Sequence, residues 1–297
     1  MPTSTFSIRE AYLQASSFLQ QENVRDAAVC AELLLQHLLG VSRSELFMRW
    51  HEPFPETLNE PWQKLVERKA KGEPVQYIVG KQEFYGLPFH VDESVLIPRP
   101  ETELLVEQIV GLGRGEPAGG STVSRPLTVA DVGTGSGAIA VAVAKLVPEW
   151  TVVATDISPA ALEVARRNAA LNEVGGRITF LLGDLLMPLA DSRLAVDILV
   201  SNPPYIPTAD LAGLQPEVLH EPRLALDGGE DGLNCYRRMM RQIGRLSPVP
   251  WLIGLEVGQG QAKGVEQLLK LSGYWNEIRI VRDLAGIERH VIGLRKK

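Results

Sequence analysis

Cysteine is nearly absent from this 297-residue sequence: only Cys30 and Cys235 occur, far apart and beside no histidine cluster. That excludes a disulfide framework and offers no metal-ligand spacing, so no metal is expected. Cys30 lies in an apolar helical run and reads as a small buried hydrophobe. Long apolar runs are missing as well. None approaches the roughly 18 residues that mark a membrane span, and the opening MPTSTFSIRE has no basic leader followed by an apolar stretch. A cytoplasmic protein without membrane association is expected. Basic charge is not in excess either: 30 Lys and Arg face 36 Asp and Glu, for a net charge of −6. Proteins that grip a phosphate backbone over a wide face are usually basic, so nucleic acid is not expected as a direct partner. What remains is ordinary globular material, 45% apolar and 22% charged. The length suits two unequal domains at about 100–200 residues each, and a monomer is expected.

The first third reads as three or four short helices. Leu33, Leu34, Leu38 and Leu39 recur with Ala27, Ala28 and Ala31 at helical spacing. Ser42 with Glu45 three residues on has the capping-box pattern. Leu58 to Lys71 is a further helix, closed by Gly72 and Pro74. Glu83 to Val91 changes character: aromatic and apolar residues surround Gly86 and Pro88, as in a small hairpin. Glu101 to Leu112 looks helical, and Gly113 to Pro126 reads as an exposed linker. From Leu127 strands and helices alternate. Strands fit 127–132, 151–155, 177–182 and 195–201, with helices over 138–146 and 160–171. This is the rhythm of a parallel sheet covered by helices on both faces. A helix over 233–246, a strand over 251–257 and a helix over 262–271 follow. The last two strands, 275–281 and 290–294, have too short a connection for a parallel crossover and should pair antiparallel. The domains expected are a helical recognition domain over 1–73, a connecting hairpin over 74–97 and an α/β catalytic domain over 98–297.

Four segments follow the carboxyl ends of predicted strands, the edge at which open α/β sheets bind ligands. The first is Asp131-Val132-Gly133-Thr134-Gly135-Ser136-Gly137. Its glycines permit a sharp turn and close approach to a ligand, and the helix start after it offers free N–H groups. It also fits a dinucleotide fingerprint through Gly133, Gly135 and Ala138, and a ligand-free turn is the plain alternative. The second is Asp156, which can accept from both hydroxyls of a ribose or instead cap the next helix in competition with Ser158. The third is Asp184, able to reach an adenine amino group, or an ordinary turn residue after Gly183.

The fourth, Asn202-Pro203-Pro204-Tyr205, is the most specific. Two prolines fix two φ angles, remove two N–H donors and push Asn202 away from helical geometry. The Asn202 side chain and the Pro203 carbonyl are both acceptors, which suits an –NH2 group, and Tyr205 can offer a ring face to a planar substrate. S-adenosylmethionine would supply an electrophilic methyl on its sulfonium. Holding the nitrogen lone pair in line with the S–CH3 bond can contribute on the order of 7–11 kcal/mol. Hydrogen bonds from the nitrogen to Asn202 and Pro203 would stabilise the charge that grows on it. The methylated nitrogen becomes acidic enough to lose its proton to solvent, so no strong base is needed.

Further stretches narrow the match: Glu73-Pro74-Val75-Gln76-Tyr77-Ile78 with Gly80 and Phe84, then Leu96 to Glu103, then Glu221-Pro222 with Ala225-Leu226, Gly229, Asp231 and Gly232. With these the chain resembles, over nearly its whole length, the protein-(glutamine-N5) methyltransferases that modify bacterial peptide-chain release factors. The resemblance implies a class I S-adenosylmethionine-dependent fold, a seven-stranded Rossmann-like sheet with its last strand antiparallel. It implies as substrate the glutamine of the Gly-Gly-Gln tip of a release factor, recognised with help from the N-terminal helices. Carried over by position, Gly133 to Gly137, Asp156, Leu185 and Asn202 would contact the cofactor, and Asn202 to Tyr205 would hold the glutamine. Leu185 stands where family members often carry an aromatic. Arg99 would lie beside the site, or Pro98-Arg99-Pro100 would be a structural elbow. The alternatives are a DNA or RNA amino-methyltransferase with the same loop, a dinucleotide-dependent oxidoreductase and a catalytically silent binding module. The first should carry a basic groove or a target-recognition domain. The second leaves Asn202 to Tyr205 unexplained.

Overall fold

The computed structural model describes residues 6–115 and 126–295. The chain forms two compact units, one joining the segment up to Lys81 to Gln215–His220, the other holding Gln82–Leu214 and everything from Glu221 on.

Up to Lys81, the described residues of the first unit form α1 (Ile8–Gln21), α2 (Ala27–Leu39), α3 (Arg43–Met48), α4 (Asn59–Ala70) and α5 (Val75–Val79), five α-helices where three or four were expected in the first third. Capping boxes start two of them: Ser7 with Glu10 at α1, and Ser42 with Glu45 at α3 as its spacing predicts. Ile8, Ala11, Ala15 and Leu19 form the buried stripe of α1, in one core with Leu34 and Leu35 of α2. Lys69 of α4 is fully buried, an expensive position for an ammonium without partners. It donates to the Glu73 carbonyl at 3.0 Å and to the Glu217 carboxylate. The second bond ties the distant segment 215–220 into this unit.

The expected hairpin over 74–97 is shorter, because α5 occupies its beginning. The strands are β1 (Lys81–Phe84) and β2 (Leu87–His90). Tyr85 and Gly86 join them with φ of 55° and 69°, the backbone of a tight two-residue turn.

The second unit continues with α6 (Pro100–Arg114), β3 (Thr128–Val132), α7 (Ala138–Leu146), β4 (Thr151–Asp156), α8 (Pro159–Leu171), β5 (Ile178–Leu182), α9 (Met187–Ser192) and β6 (Ile198–Ser201). After α10 (Pro216–Leu219), which belongs to the first unit, come α11 (Arg223–Leu226), α12 (Asn234–Gln242), β7 (Leu252–Glu256), α13 (Ala262–Ser272), β8 (Glu277–Arg282) and β9 (Glu288–Leu294). Seven strands make one sheet in the order β5-β4-β3-β6-β7-β9-β8. β3 to β7 run parallel, whereas β9 pairs antiparallel with both β7 and β8. The strand order and the antiparallel end are those of the expected class I architecture. Every residue of β6 and β7 is buried, as befits strands covered on both faces. Val129, Ile198 and Val200 enter the core on one face, and Ala130, Val132 and Leu199 enter the core on the other.

Two further expectations are corrected. The linker over 113–126 begins too early, because α6 runs through Arg114 and Gly113 is buried. A Cβ on Gly113 would collide with the Trp150 ring and with Ile198, so this glycine is a packing residue. The rest of that linker, 116–125, lies outside the described residues. The helix expected over 233–246 stops being α-helical at Gln242 and finishes as a 3-10 turn, Ile243–Arg245.

Candidate active site

β3 and β6 are neighbours, yet the chain leaves β3 toward β4 on one side and reaches β6 and β7 on the other. A crevice opens where the order reverses, beyond the carboxyl ends of the strands. Gly133 to Ser136, Asp156, Asp184, Leu185 and Asn202, all singled out from sequence, line one cavity there within the second unit.

The glycine loop is held from three directions. Asp131, fully buried, accepts at Oδ2 from the Thr134 hydroxyl at 2.6 Å and from the Ala140 N–H at 3.1 Å. Burial pushes its carboxyl up to about 7. The N–H groups of Gly133 and Thr134 donate to the Thr155 carbonyl at 2.8 and 2.9 Å. Asn168 of α8 donates to the Ser136 carbonyl at 2.8 Å and exchanges two bonds with the His90 backbone, linking β2 to the loop. Gly137, with φ of 82°, lets α7 start against α8: a Cβ there would lie 3.1 Å from that of Ala165.

Asp156 accepts from the Gly135 N–H and the Ser158 N–H, both at 2.9 Å, and burial raises its pKa. Ser158 is the cap of α8, accepting from the Ala161 N–H at 3.2 Å, so the carboxylate of Asp156 is not spent as a helix cap. Asp184 is paired with Arg238 of α12, which also lines the cavity. Leu185 has φ of 50°, an unusual conformation for a branched apolar residue, and its carbonyl accepts from Thr155 at 3.3 Å. A carboxylate, a hydrogen-bonding glycine loop and a second carboxylate along one wall suit a nucleoside with its hydroxyls and exocyclic amine.

At the end of β6, the Ser201 hydroxyl donates to the Val132 carbonyl at 2.6 Å and fixes that end beside β3. Asn202 and Pro204 line the cavity. Pro203 is buried, and Tyr205, outside the cavity wall, packs against the core. The Gln261 amide donates to the Tyr205 carbonyl at 2.8 Å, and Gly258 lies against the ring. Burial raises the Tyr205 phenol to about 12, so it is neutral near pH 7. Arg99 lines the cavity and pairs with buried Glu221, and Pro100 starts α6.

Four participants were not anticipated: Thr102, Glu256, Arg238 and Asn168. The Asn202 Nδ2 donates to the Thr102 hydroxyl at 3.2 Å, which donates to Glu256 Oε2 at 2.6 Å. Glu256 ends β7, so an acidic residue closing an apolar strand was its available signal. Cys30 and Cys235 are both buried free thiols. Among the described residues no cluster of candidate ligands could hold a metal ion, and no helix is long and apolar enough to cross a membrane.

Comparison with known proteins yields two family matches along the chain. Residues 10–80 match the PrmC N-terminal domain and residues 121–227 the methyltransferase small domain. The chain is 41% identical to the release factor glutamine methyltransferase of Moorella thermoacetica, over 98% of this chain and 99% of that protein. It is 43% identical to the enzyme of the same name from Geobacter sulfurreducens, over 97% of this chain and 96% of the other. Among solved structures, the hMettl16 catalytic domain in complex with MAT2A 3'UTR hairpin 1 superposes with a TM-score of 0.55 at 15% identity, covering 78% of this chain and 81% of that one. That last likeness is one of fold.

Proposed function

Because the chain belongs to the release factor glutamine methyltransferase family, we propose that it methylates the side-chain amide nitrogen, N5, of the glutamine in the Gly-Gly-Gln tip of a peptide-chain release factor, with S-adenosylmethionine as donor. The observation that carries this reading is the position of Asn202: a stiff Asn-Pro-Pro loop faces the same cavity as the glycine loop and Asp156. When bound, S-adenosylmethionine supplies an electrophilic methyl. Gly133 to Gly137, Asp156, Asp184 and Leu185 would hold it, with Asp156 accepting from the ribose and Asp184 from the adenine amine.

Asn202 Oδ1 and the Pro203 carbonyl would accept from the two N–H groups of the glutamine amide. That orients the nitrogen and favours the positive charge that develops on it. Pro204 forms wall beside Asn202, and Tyr205 would contribute through its backbone, anchored by Gln261, more than through its ring. Neither Asn202 nor Tyr205 can serve as a strong base at neutral pH, consistent with release of the proton to water. The helical N-terminal residues 1–73 would recognise the release factor. The enzyme would act as a monomer and without direct contact to nucleic acid.

The test offers purified release factor and duplex DNA side by side with labelled S-adenosylmethionine. Label enters the release factor alone and is lost with Asn202→Ala. Label in DNA alone would replace the substrate with a nucleobase amine and leave only the donor.

A further inference from the structure

An asparagine amide has two ends of nearly equal shape and opposite polarity, Oδ1 accepting and Nδ2 donating. An asparagine that must accept from an –NH2 group is useful only with Oδ1 toward the cavity. Something behind it has to set that orientation, and nothing in the Asn-Pro-Pro-Tyr motif itself does so.

We propose that Thr102 is a positioning residue that, held by Glu256, fixes the Asn202 amide with its oxygen toward the substrate; this rests on the functional reading above. Three elements bring the groups together: Thr102 stands in the first turn of α6, Asn202 follows β6 and Glu256 ends β7. Thr102 and Glu256 are buried, at 4% and 2% exposure, so water does not supply alternative partners. The Thr102 hydroxyl has one proton, and it goes to Glu256 at 2.6 Å. Toward Asn202 the hydroxyl therefore presents only lone pairs, and it receives Nδ2 at 3.2 Å. Burial raises the Glu256 carboxyl, and the Asn202 side chain is among the groups that oppose the rise. With Glu256 ionised, turning the amide over would set Oδ1 against a hydroxyl lone pair and a carboxylate, with no donor for it. Glu256 is itself fixed, since the Tyr236 hydroxyl donates to its backbone carbonyl at 2.7 Å and its strand position pairs with His290 of β9.

The consequence is selectivity by polarity. The cavity favours a group with two protons to donate, a primary amide or amine. It disfavours a carboxylate of the same shape, which would meet the Asn202 oxygen.

The full-length enzyme with Thr102→Val and with Thr102→Ser separates the hydroxyl from the bulk of the side chain. The readouts are kcat and KM for a release factor, equilibrium affinity for S-adenosylmethionine, the thermal midpoint, and inhibition by a release factor whose tip glutamine is replaced by glutamate. With Thr102→Val, kcat falls at least about 10-fold, the loss of one buried hydrogen bond to the reacting group's holder. Cofactor affinity stays within about 3-fold, since the glycine loop and Asp156 are untouched. The glutamate form becomes a better inhibitor relative to the glutamine form. Thr102→Ser, which keeps the hydroxyl, restores kcat to within about 3-fold. Wild-type kcat in Thr102→Val, or equal loss in both variants, overturns the positioning role. Absence of any transfer by the wild type would instead overturn the functional reading, and with it this inference.

Discussion

The Gly135 N–H donates to Asp156 Oδ2 at 2.9 Å, so the glycine loop after β3 is bonded to the carboxylate that ends β4. The same carboxylate accepts from Ser158 through its other oxygen. Asp156 therefore shapes the loop, and under the proposed function it would also offer lone pairs to a ribose. Hydrogen bonds to a charged group are each worth about 1.5–3 kcal/mol. Asp156→Ala should weaken S-adenosylmethionine binding by about 10- to 100-fold. Isothermal titration measures this directly, and unchanged affinity would remove Asp156 from the cofactor site.

Gly232 has φ of 75°, and a Cβ there would run into the Tyr205 carbonyl and the Gln261 amide that holds it. Gly232→Ala must displace the end of the Asn-Pro-Pro-Tyr loop. The expected cost is about 1–3 kcal/mol of stability from overpacking, with a larger loss in kcat than in cofactor affinity. Chemical denaturation alongside steady-state kinetics checks both halves. A variant with wild-type kcat would show that the loop tolerates the shift.

Glu256 provides a pH-dependent signature. Burial raises its carboxyl from 4.5 to about 7, against the opposing bond from Thr102 and the charge of Arg289. Around it stand Glu101 and Thr102 of α6, Asn202 and Tyr205 of the loop, Tyr236 of α12, and Arg289 and His290 of β9. The folded state keeps this proton while the unfolded chain has already released it between pH 4.5 and about 7. Stability from this group is present below the unfolded value and is lost as pH rises through the folded one. Glu256→Gln has no such loss. From about pH 5 to about pH 8 the stability difference should move in favour of the variant by about 2–3 kcal/mol. His290, lowered to about 4 by burial, and Asp131 titrate in both proteins. Paired urea denaturation at the two pH values reads the difference, and a pH-independent gap would mean that Glu256 is already ionised in the acid range.

Much of this was legible in the sequence because it is local. The capping box at Ser42, the helix 138–146 and the short connection that makes the last strands antiparallel each depend on neighbours within a few residues. The Gly133 to Gly137 loop and Asn202-Pro203-Pro204-Tyr205 carry their backbone constraints in their own residue types. What could not be read depends on partners far along the chain. Asn202 meets Thr102 across 100 residues, Thr102 meets Glu256 across 154, and Asn168 meets His90 across 78. Gly113 looked like the start of a linker because its neighbours are glycines and polar residues. Only the Trp150 ring and Ile198 against it explain why a glycine sits in the last turn of α6. Tyr205 shows the same limit: an aromatic after two prolines suggested a substrate platform, and its packing against the core beside Gly258 depends on residues far along the chain.

Localising the methyl group is the most direct measurement. A release factor incubated with the enzyme and S-adenosylmethionine is digested, and the peptide bearing the Gly-Gly-Gln tip is fragmented by tandem mass spectrometry. One added methyl on the glutamine side chain, absent when Asn202→Ala is used, is the predicted result. A methyl on any other residue, or on the glutamine regardless of Asn202, would contradict the assignment of this cavity as the amide-methylating site.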